Sequence, residues 1–339
     1  MSPFEQTGAV SAFAQPRLQV DGSVLARGAL ATAAWTAVAA SVTLLANRKV
    51  GFADPLYVAE TNAGFVGWAV ALALATVVGA LWPPLGQRLG RAAPWLVVLA
   101  LLVGVWDLLT AKLGLLPVPF FAPPSSLVEV YAEDWPRLGE SVLHSLRLLA
   151  LGFLFGTVSG FVTGVAIGWS RGLGYWVHPV LRFLGPIPST ALLPMAFFFF
   201  PSSFSAAIFL IALATWFPVT VLTWSGVASV DKAYYDVART LGAGRAFLIF
   251  KVAIPAALPH VFVGLFMGLG ASFSVLVAAE MMGVKSGLGY YLQWAQGWAA
   301  YSNMYGALIV MALIFSSLIT LLFTLRDRLL GWQKDVVKW

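Results

Sequence analysis

The stretch that decides the architecture runs from Leu143 to Trp169 and reads LHSLRLLALGFLFGTVSGFVTGVAIGW. Beyond Arg147 it holds no charged residue. About 20 consecutive apolar residues suffice to carry an α-helix across the hydrocarbon core of a bilayer, so the stretch predicts one membrane-crossing helix. Within it Gly152, Gly156, Gly160, Gly164 and Gly168 recur at every fourth position. Small residues at that spacing share one side of a helix and let a second backbone approach closely. Each four-residue step turns by about 40° at 3.6 residues per turn, so the ridge spirals and suits a right-handed crossing. We read it as a helix-packing surface in preference to a substrate-lining groove.

Working outward, apolar runs of similar length recur at Gly28–Leu45, Ala63–Trp82, Trp95–Leu113, Pro179–Phe200, Phe204–Val227, Val261–Met281 and Tyr305–Leu325. With the first stretch these make eight expected spans. The bulk numbers agree: of 339 residues, 60% are hydrophobic and 10% charged, against about 25% charged in soluble domains, and the mean hydropathy is +0.86. The apolar runs are continuous rather than alternating, which points to an all-α polytopic membrane protein and away from a β-barrel. There is no Cys and there are three scattered His, which argues against disulfides, thiolate chemistry and a metal cluster. No basic stripe with interleaved aromatics suggests nucleic-acid binding. Residues 1–26 are mixed and polar, without the pattern of a cleaved signal peptide. Cytoplasmic loops collect Lys and Arg. With the N-terminus inside, fourteen of the 20 Lys and Arg fall inside and six outside, so both termini are expected in the cytoplasm.

Two connections are long enough to hold structure. Leu116–Glu140, expected outside, carries Pro117, Pro119, Pro123 and Pro124 and then Ser125-Ser126-Leu127-Val128-Glu129-Val130, which predicts a short helix lying at the interface. Ala228–Pro259, expected inside, is more polar. Asp231 is a good helix N-cap, and Tyr235, Ala238 and Leu241 share one face at helical spacing. Gly242 ends or turns that helix, and Pro255 and Pro259 punctuate the approach to the next span. The result should be two short helices joined by a sharp turn, a compact knob offered to a partner.

At these residues a resemblance becomes specific. ABC importer permeases carry a loop that reads Glu-Ala-Ala, three residues, Gly, nine residues, then Ile-x-Leu-Pro. In this chain Asp236-Val237-Ala238 occupies the first position, followed by Arg239; Gly242 holds the Gly position, and Val252-Ala253-Ile254-Pro255 the last, at the right spacing. Pro123–Val130, Gly185–Pro194 (GPIPSTALLP), Leu276–Gly283 (LVAAEMMG) and Ser286–Tyr290 (SGLGY) look like the nitrate, sulfonate, taurine and bicarbonate branch. The resemblance covers roughly residues 95–339 and implies a type I importer permease of six core helices. The two spans before it are then additional. The implied layout is a cytoplasmic segment at 1–26, an extra transmembrane hairpin at 27–91, and a permease domain at 92–339 with its coupling loop at 228–259. It also implies a bacterial inner-membrane location, a permease homodimer, and two copies of an ABC ATPase that bind ATP and Mg. A periplasmic or lipid-anchored substrate-binding protein would deliver a small solute such as nitrate, sulfonate, taurine or bicarbonate. Asp236, Val237, Ala238, Arg239, Gly242, Ile254 and Pro255 would form the ATPase-coupling loop.

No phosphate-cradling motif supports ATP hydrolysis in this chain. Gly283-Val284-Lys285-Ser286-Gly287-Leu288-Gly289 has the wrong spacing and reads as an outer turn. Glu280 is an acidic residue at the end of an apolar span, where a carboxylate is costly. It is either a group bonded to neighbouring backbone or part of a gate or path. Trp224 is a second path candidate, although aromatic belts are the commoner reason for Trp. The rival reading is a secondary transporter driven by an ion gradient. It needs inverted repeats and a set of intramembrane ion ligands, and neither is evident.

Overall fold

The computed structural model describes residues 22–48, 56–116 and 119–333. Most of the expected N-terminal segment, and Arg17, Lys49, Lys334 and Lys338 from the charge argument, lie outside them. The described residues form helices and connecting turns, with no strand among them. Two compact units divide after Val128.

The first unit contains α1 (Gly22–Leu44), α2 (Val58–Leu81) and α3 (Pro83–Asp107), which continues as a wider π turn, Leu108–Lys112. Trp35, Val38, Val42, Leu72 and Ala100 form its core. Two of its polar side chains pair with backbone carbonyls: Trp35 Nε1 donates to Leu96 O at 3.0 Å, and the Lys112 ammonium donates to Val42 O and Leu45 O at 2.8 Å each. That lysine closes the C-terminal end of α1, where backbone carbonyls lack helical partners. α3, which the sequence reading groups with the six core helices, packs here with α1 and α2.

The boundary falls within α4 (Pro124–Glu133). The second unit continues with α5 (Trp135–Trp169), α6 (Arg171–Leu184), α7 (Leu193–Phe199) and α8 (Ser203–Ala228). Then follow α9 (Lys232–Thr240), α10 (Arg245–Phe247), α11 (Ile254–Met282), α12 (Leu288–Gly297) and α13 (Tyr301–Leu329).

Glycines set its geometry. Gly152 faces Ile208 and Ile211, Gly160 faces Trp216 and Val219, and Gly168 faces Trp224 and Val227. Residue numbers rise together along this seam, so α5 and α8 run parallel. A parallel pair requires the chain between them to recross the membrane. It does so stepwise. The His178 ring lies 4.4 Å from that of Trp224, Gly185 sits against Phe217, and the Phe200 ring lies 4.9 Å from that of Phe209. As this segment advances it moves backward along α8.

The expected span Pro179–Phe200 is therefore a crossing but not one helix. The helices on either side of Gly185-Pro186-Ile187-Pro188 meet at 86°. Pro186 and Pro188 have no N–H for the helical ladder, and Pro188 disfavours the helical conformation in the residue before it. Among the described residues seven helices are long and apolar enough to span, or eight crossings with this bent pair counted as one.

α11 runs antiparallel to α8, with Gly226 against Ala257 and His260, and Gly268 against Thr215. Its expected start near Val261 is also corrected, because helical backbone runs without a break from Arg245 to Met282. Leu248–Ala253 forms a π turn, and Pro255 falls in the first α turn after it, where a missing N–H is tolerated. α13 returns beside α11, with Phe273 on Phe315 and Phe266 on Phe323 at 4.9 and 5.5 Å. The second unit thus has two ends. One carries the α8–α11 connection and the C-terminus of α13; the other carries the start of α5, Glu280 and α12.

Candidate functional site

At the first end, Asp231 caps α9 by accepting from the Ala233 N–H at 2.9 Å. Tyr235 turns inward, its ring 5.9 Å from Trp169, over a small core of Val227, Ala253 and Ala257. Burial raises the Tyr235 phenol above its ordinary range. α9 stops at a paired cap: Gly242 N–H donates to Arg239 O at 2.9 Å and Ala243 N–H to Ala238 O at 3.0 Å. This bonding needs a left-handed residue, and Gly242 has φ of +83°. Nothing lies within 4 Å of where its Cβ would be, so glycine serves conformation there and not space.

The outward face of this knob is apolar. Tyr234, Val237, Leu241 and Phe247 are exposed, Leu241 at 83%, around a shallow groove of ≈ 640 Å³. Asp236 and Arg239 pair at 3.2 Å on its flank. Asp236, Val237, Ala238, Arg239 and Gly242 are thus gathered on one element. Ile254 and Pro255 sit instead at the start of α11, half-buried in the bundle. Their place is to join knob to span.

A second feature follows from the broken crossing. A cavity of ≈ 500 Å³ opens between the break, α8 and α11, lined among others by Ser189, Thr190, Trp216, Phe217, Met267 and Ser274. No charged side chain lines it. Two prolines could have signalled the break, which the expected single span did not include, but no local signal shows that α8 and α11 leave a chamber beside it. Neither Glu280 nor Trp224 lines this chamber. Trp224 packs on His178 nearer the knob.

Glu280 lies at the far end and is 1% exposed. Ser145 Oγ donates to its Oε1 at 2.7 Å, and Gly289 N–H donates to its Oε2 at 2.8 Å. Ser145 Oγ in turn accepts from Leu288 N–H at 2.8 Å. Gly287, at φ +97°, passes so close that a Cβ there would overlap the carboxylate. Each carboxylate oxygen therefore holds a different element: α5 on one side, the start of α12 on the other. Nearby, Tyr291 and Asn303 both donate to Asp134 Oδ2, at 2.5 and 3.2 Å. Burial, with this bond second, raises the Tyr291 phenol well above its usual range.

The glycine ridge is a contact surface along its whole length. A Cβ on Gly156 would overlap Ala212 O, and Cβ atoms on Gly160, Gly164 and Gly168 would come within 2.9 Å of α8 atoms. Among the described residues, no group of three or more His, Asp or Glu could hold a metal ion.

Membrane-length helices, an uncharged chamber beside α8 and α11, and an exposed apolar knob at one end fit a transport permease. Residues 152–331 match the binding-protein-dependent transport system inner membrane component, and the chain belongs to that family. It is similar to the taurine transport system permease protein TauC of Escherichia coli, 32% identical over 249 residues, which are 70% of this chain and 89% of the relative. The putative aliphatic sulfonates transport permease protein SsuC of Bacillus subtilis is 30% identical over 243 residues, 71% of this chain and 87% of the relative. The nitrate import permease protein NrtB of Synechococcus elongatus is 29% identical over 256 residues, 72% and 89%. These similarities fit the nitrate, sulfonate and taurine branch of ABC importer permeases.

Proposed function

We propose that this chain forms the translocation path of an ATP-driven importer for a small anion, with nitrate, sulfonate, taurine and bicarbonate as the substrates to test first. The observation that carries the reading is the exposed apolar knob, anchored to the bundle and capped at Gly242. A preformed element with unburied Tyr234, Val237, Leu241 and Phe247 needs a partner surface. In this reading the partner is a separate ABC ATPase, in two copies, which holds ATP and Mg. ATP is not hydrolysed in this chain.

The knob end is then cytoplasmic, with both termini on that side. Arg171, Lys232, Arg239, Arg245, Lys251, Arg326 and Arg328 lie towards that end, against Arg137, Arg147 and Lys285 at the other, as the positive-inside rule expects. Two copies of the chain would assemble, with a periplasmic or lipid-anchored binding protein at the outer end. α1 and α2 would be additions to the transport domain at residues 92–339 and take no part in the path.

The mechanism follows from the connections. The knob is continuous with α11 through the helix that starts at Arg245, and it is linked to α5 through Tyr235 and Trp169. The glycine seam makes α5 and α8 move as one body. α8 and α11 both line the chamber, so a shift of the knob reaches the chamber walls through packed helices. Closure of the ATPase pair would move two knobs together and open the chamber alternately to each side.

The test is reconstitution in vesicles with the cognate ATPase and binding protein. Hydrolysis should rise with ligand-loaded binding protein, and labelled solute should accumulate only with ATP. Uptake that ignores ATP and follows an ion gradient would overturn the reading in favour of a secondary transporter.

A further inference from the structure

At the outer end, beside the Glu280 clasp, the second unit holds a cleft of ≈ 310 Å³ lined by Arg137, Glu140 and His144 of α5 and by Lys285, Ser286 and Tyr290 around the start of α12. Its chemistry is unlike that of the chamber. Arg137, whose guanidinium lies 3.8 Å from Asp134, and Lys285 supply two cationic side chains, and among the lining residues one carboxylate faces them. That carboxylate, Glu140, is directed at His144, 3.8 Å away. Lys285 makes no ion pair among the described residues, and the hydroxyls of Ser286 and Tyr290 make no hydrogen bond among them. The cleft therefore presents unused donors and, among its lining side chains, two cations against one carboxylate.

Arg137 is also held in place. The Arg137 guanidinium lies 4.7 Å over the Trp294 ring and 3.8 Å from Asp134, whose other oxygen is occupied by Tyr291 and Asn303. The two walls are clamped by the Ser145, Glu280 and Gly289 bonds. A preorganised guanidinium spends little ordering entropy on a ligand, and charge-assisted bonds to an oxyanion are the strong ones.

We propose that this cleft is an oxyanion-binding subsite at the outer mouth, which holds the nitrate, sulfonate or carboxylate group of a small solute before it reaches the uncharged chamber. The proposal rests on the importer reading for its direction. The site itself rests on the cleft.

The experiment measures binding to the purified full chain in detergent, by calorimetry. Nitrate and ethanesulfonate are the solute probes, and short-chain phosphatidylglycerol is the lipid probe. Both solute anions should bind. Lys285→Gln, at an exposed side chain, should weaken them about tenfold without changing the thermal midpoint. Glu140→Gln should strengthen them, because it removes the carboxylate that lines the cleft. Unchanged affinity in both Lys285→Gln and Arg137→Gln would overturn the subsite, as would binding of the lipid probe alone. Co-purification of the same preparations with the ATPase separates the two readings. Lost anion binding with intact ATPase docking counts for the subsite, whereas a parent chain that never docks the ATPase sinks the importer reading instead.

Discussion

The α5–α8 seam and the α9–α10 knob both depend on glycine, for opposite reasons. On the seam the glycines have ordinary helical backbone, and α8 fills the space where a side chain would stand. In the knob Gly242 has open space around it and a left-handed backbone. The first kind of glycine is required by a neighbour far away in the chain, the second by its own turn. A substitution should therefore harm the fold in one place and the coupling in the other.

The largest effect is expected at Gly156→Val. Its side chain would meet the Ala212 carbonyl and Thr215, neither of which can move without parting the helices. The cost should be on the order of 3 kcal/mol or more, read as loss of a monodisperse peak after detergent extraction. A stable, monodisperse Gly156→Val protein would show that the seam is loose.

Gly287→Ala combines both reasons, since Gly287 has positive φ and lies against the Glu280 carboxylate. A fall in stability of about 2 kcal/mol is expected, seen as a lower thermal midpoint. An unchanged midpoint would mean that the carboxylate clasp carries no strain.

Gly242→Val should cost about 1–3 kcal/mol of backbone strain confined to the turn. The chain should fold and insert, yet co-purify poorly with the ATPase or hydrolyse ATP without uptake. Gly242→Asn should be milder, because Asn tolerates the left-handed region. Full coupling in the valine variant would remove the knob from the mechanism.

Gly244→Ala is the small end of the series. Its φ is −77° and nothing lies within 4 Å of the added carbon, so stability and coupling should stay within about 0.5 kcal/mol of the parent. A large effect there would mean that the partner surface reads the turn itself.

Legibility in the sequence follows the same division. The spans, the knob with its Asp231 cap and Gly242 turn, and the glycine spacing could be read directly, because each depends on residues within a few positions. The break at Gly185-Pro186-Ile187-Pro188 was visible in its prolines but was read as one span, since the apolar run around it is long enough to cross. The uninterrupted helix from Arg245 was missed for the converse reason: Pro255 and Pro259 signal a stop, and the π turn before them makes room. The cleft beside Glu280 could not be foreseen, because its two walls, around Arg137 and Lys285, are remote in the chain.

Composition and hydrophobic run length by themselves determined that this chain lives in a membrane as a set of helices. Local backbone chemistry determined that it presents a capped knob between two of them. These are short-range effects: burial of apolar side chains in lipid, and the hydrogen bonds of a single turn. Only the tertiary structure decided that α5 and α8 run parallel, that a bent crossing leaves an uncharged chamber beside them, and that Glu280 is a clasp to Ser145, 135 residues away. The physical reason is that a carboxylate in an apolar run is equally costly wherever it stands, and what satisfies it is set by which distant helix packs beside it.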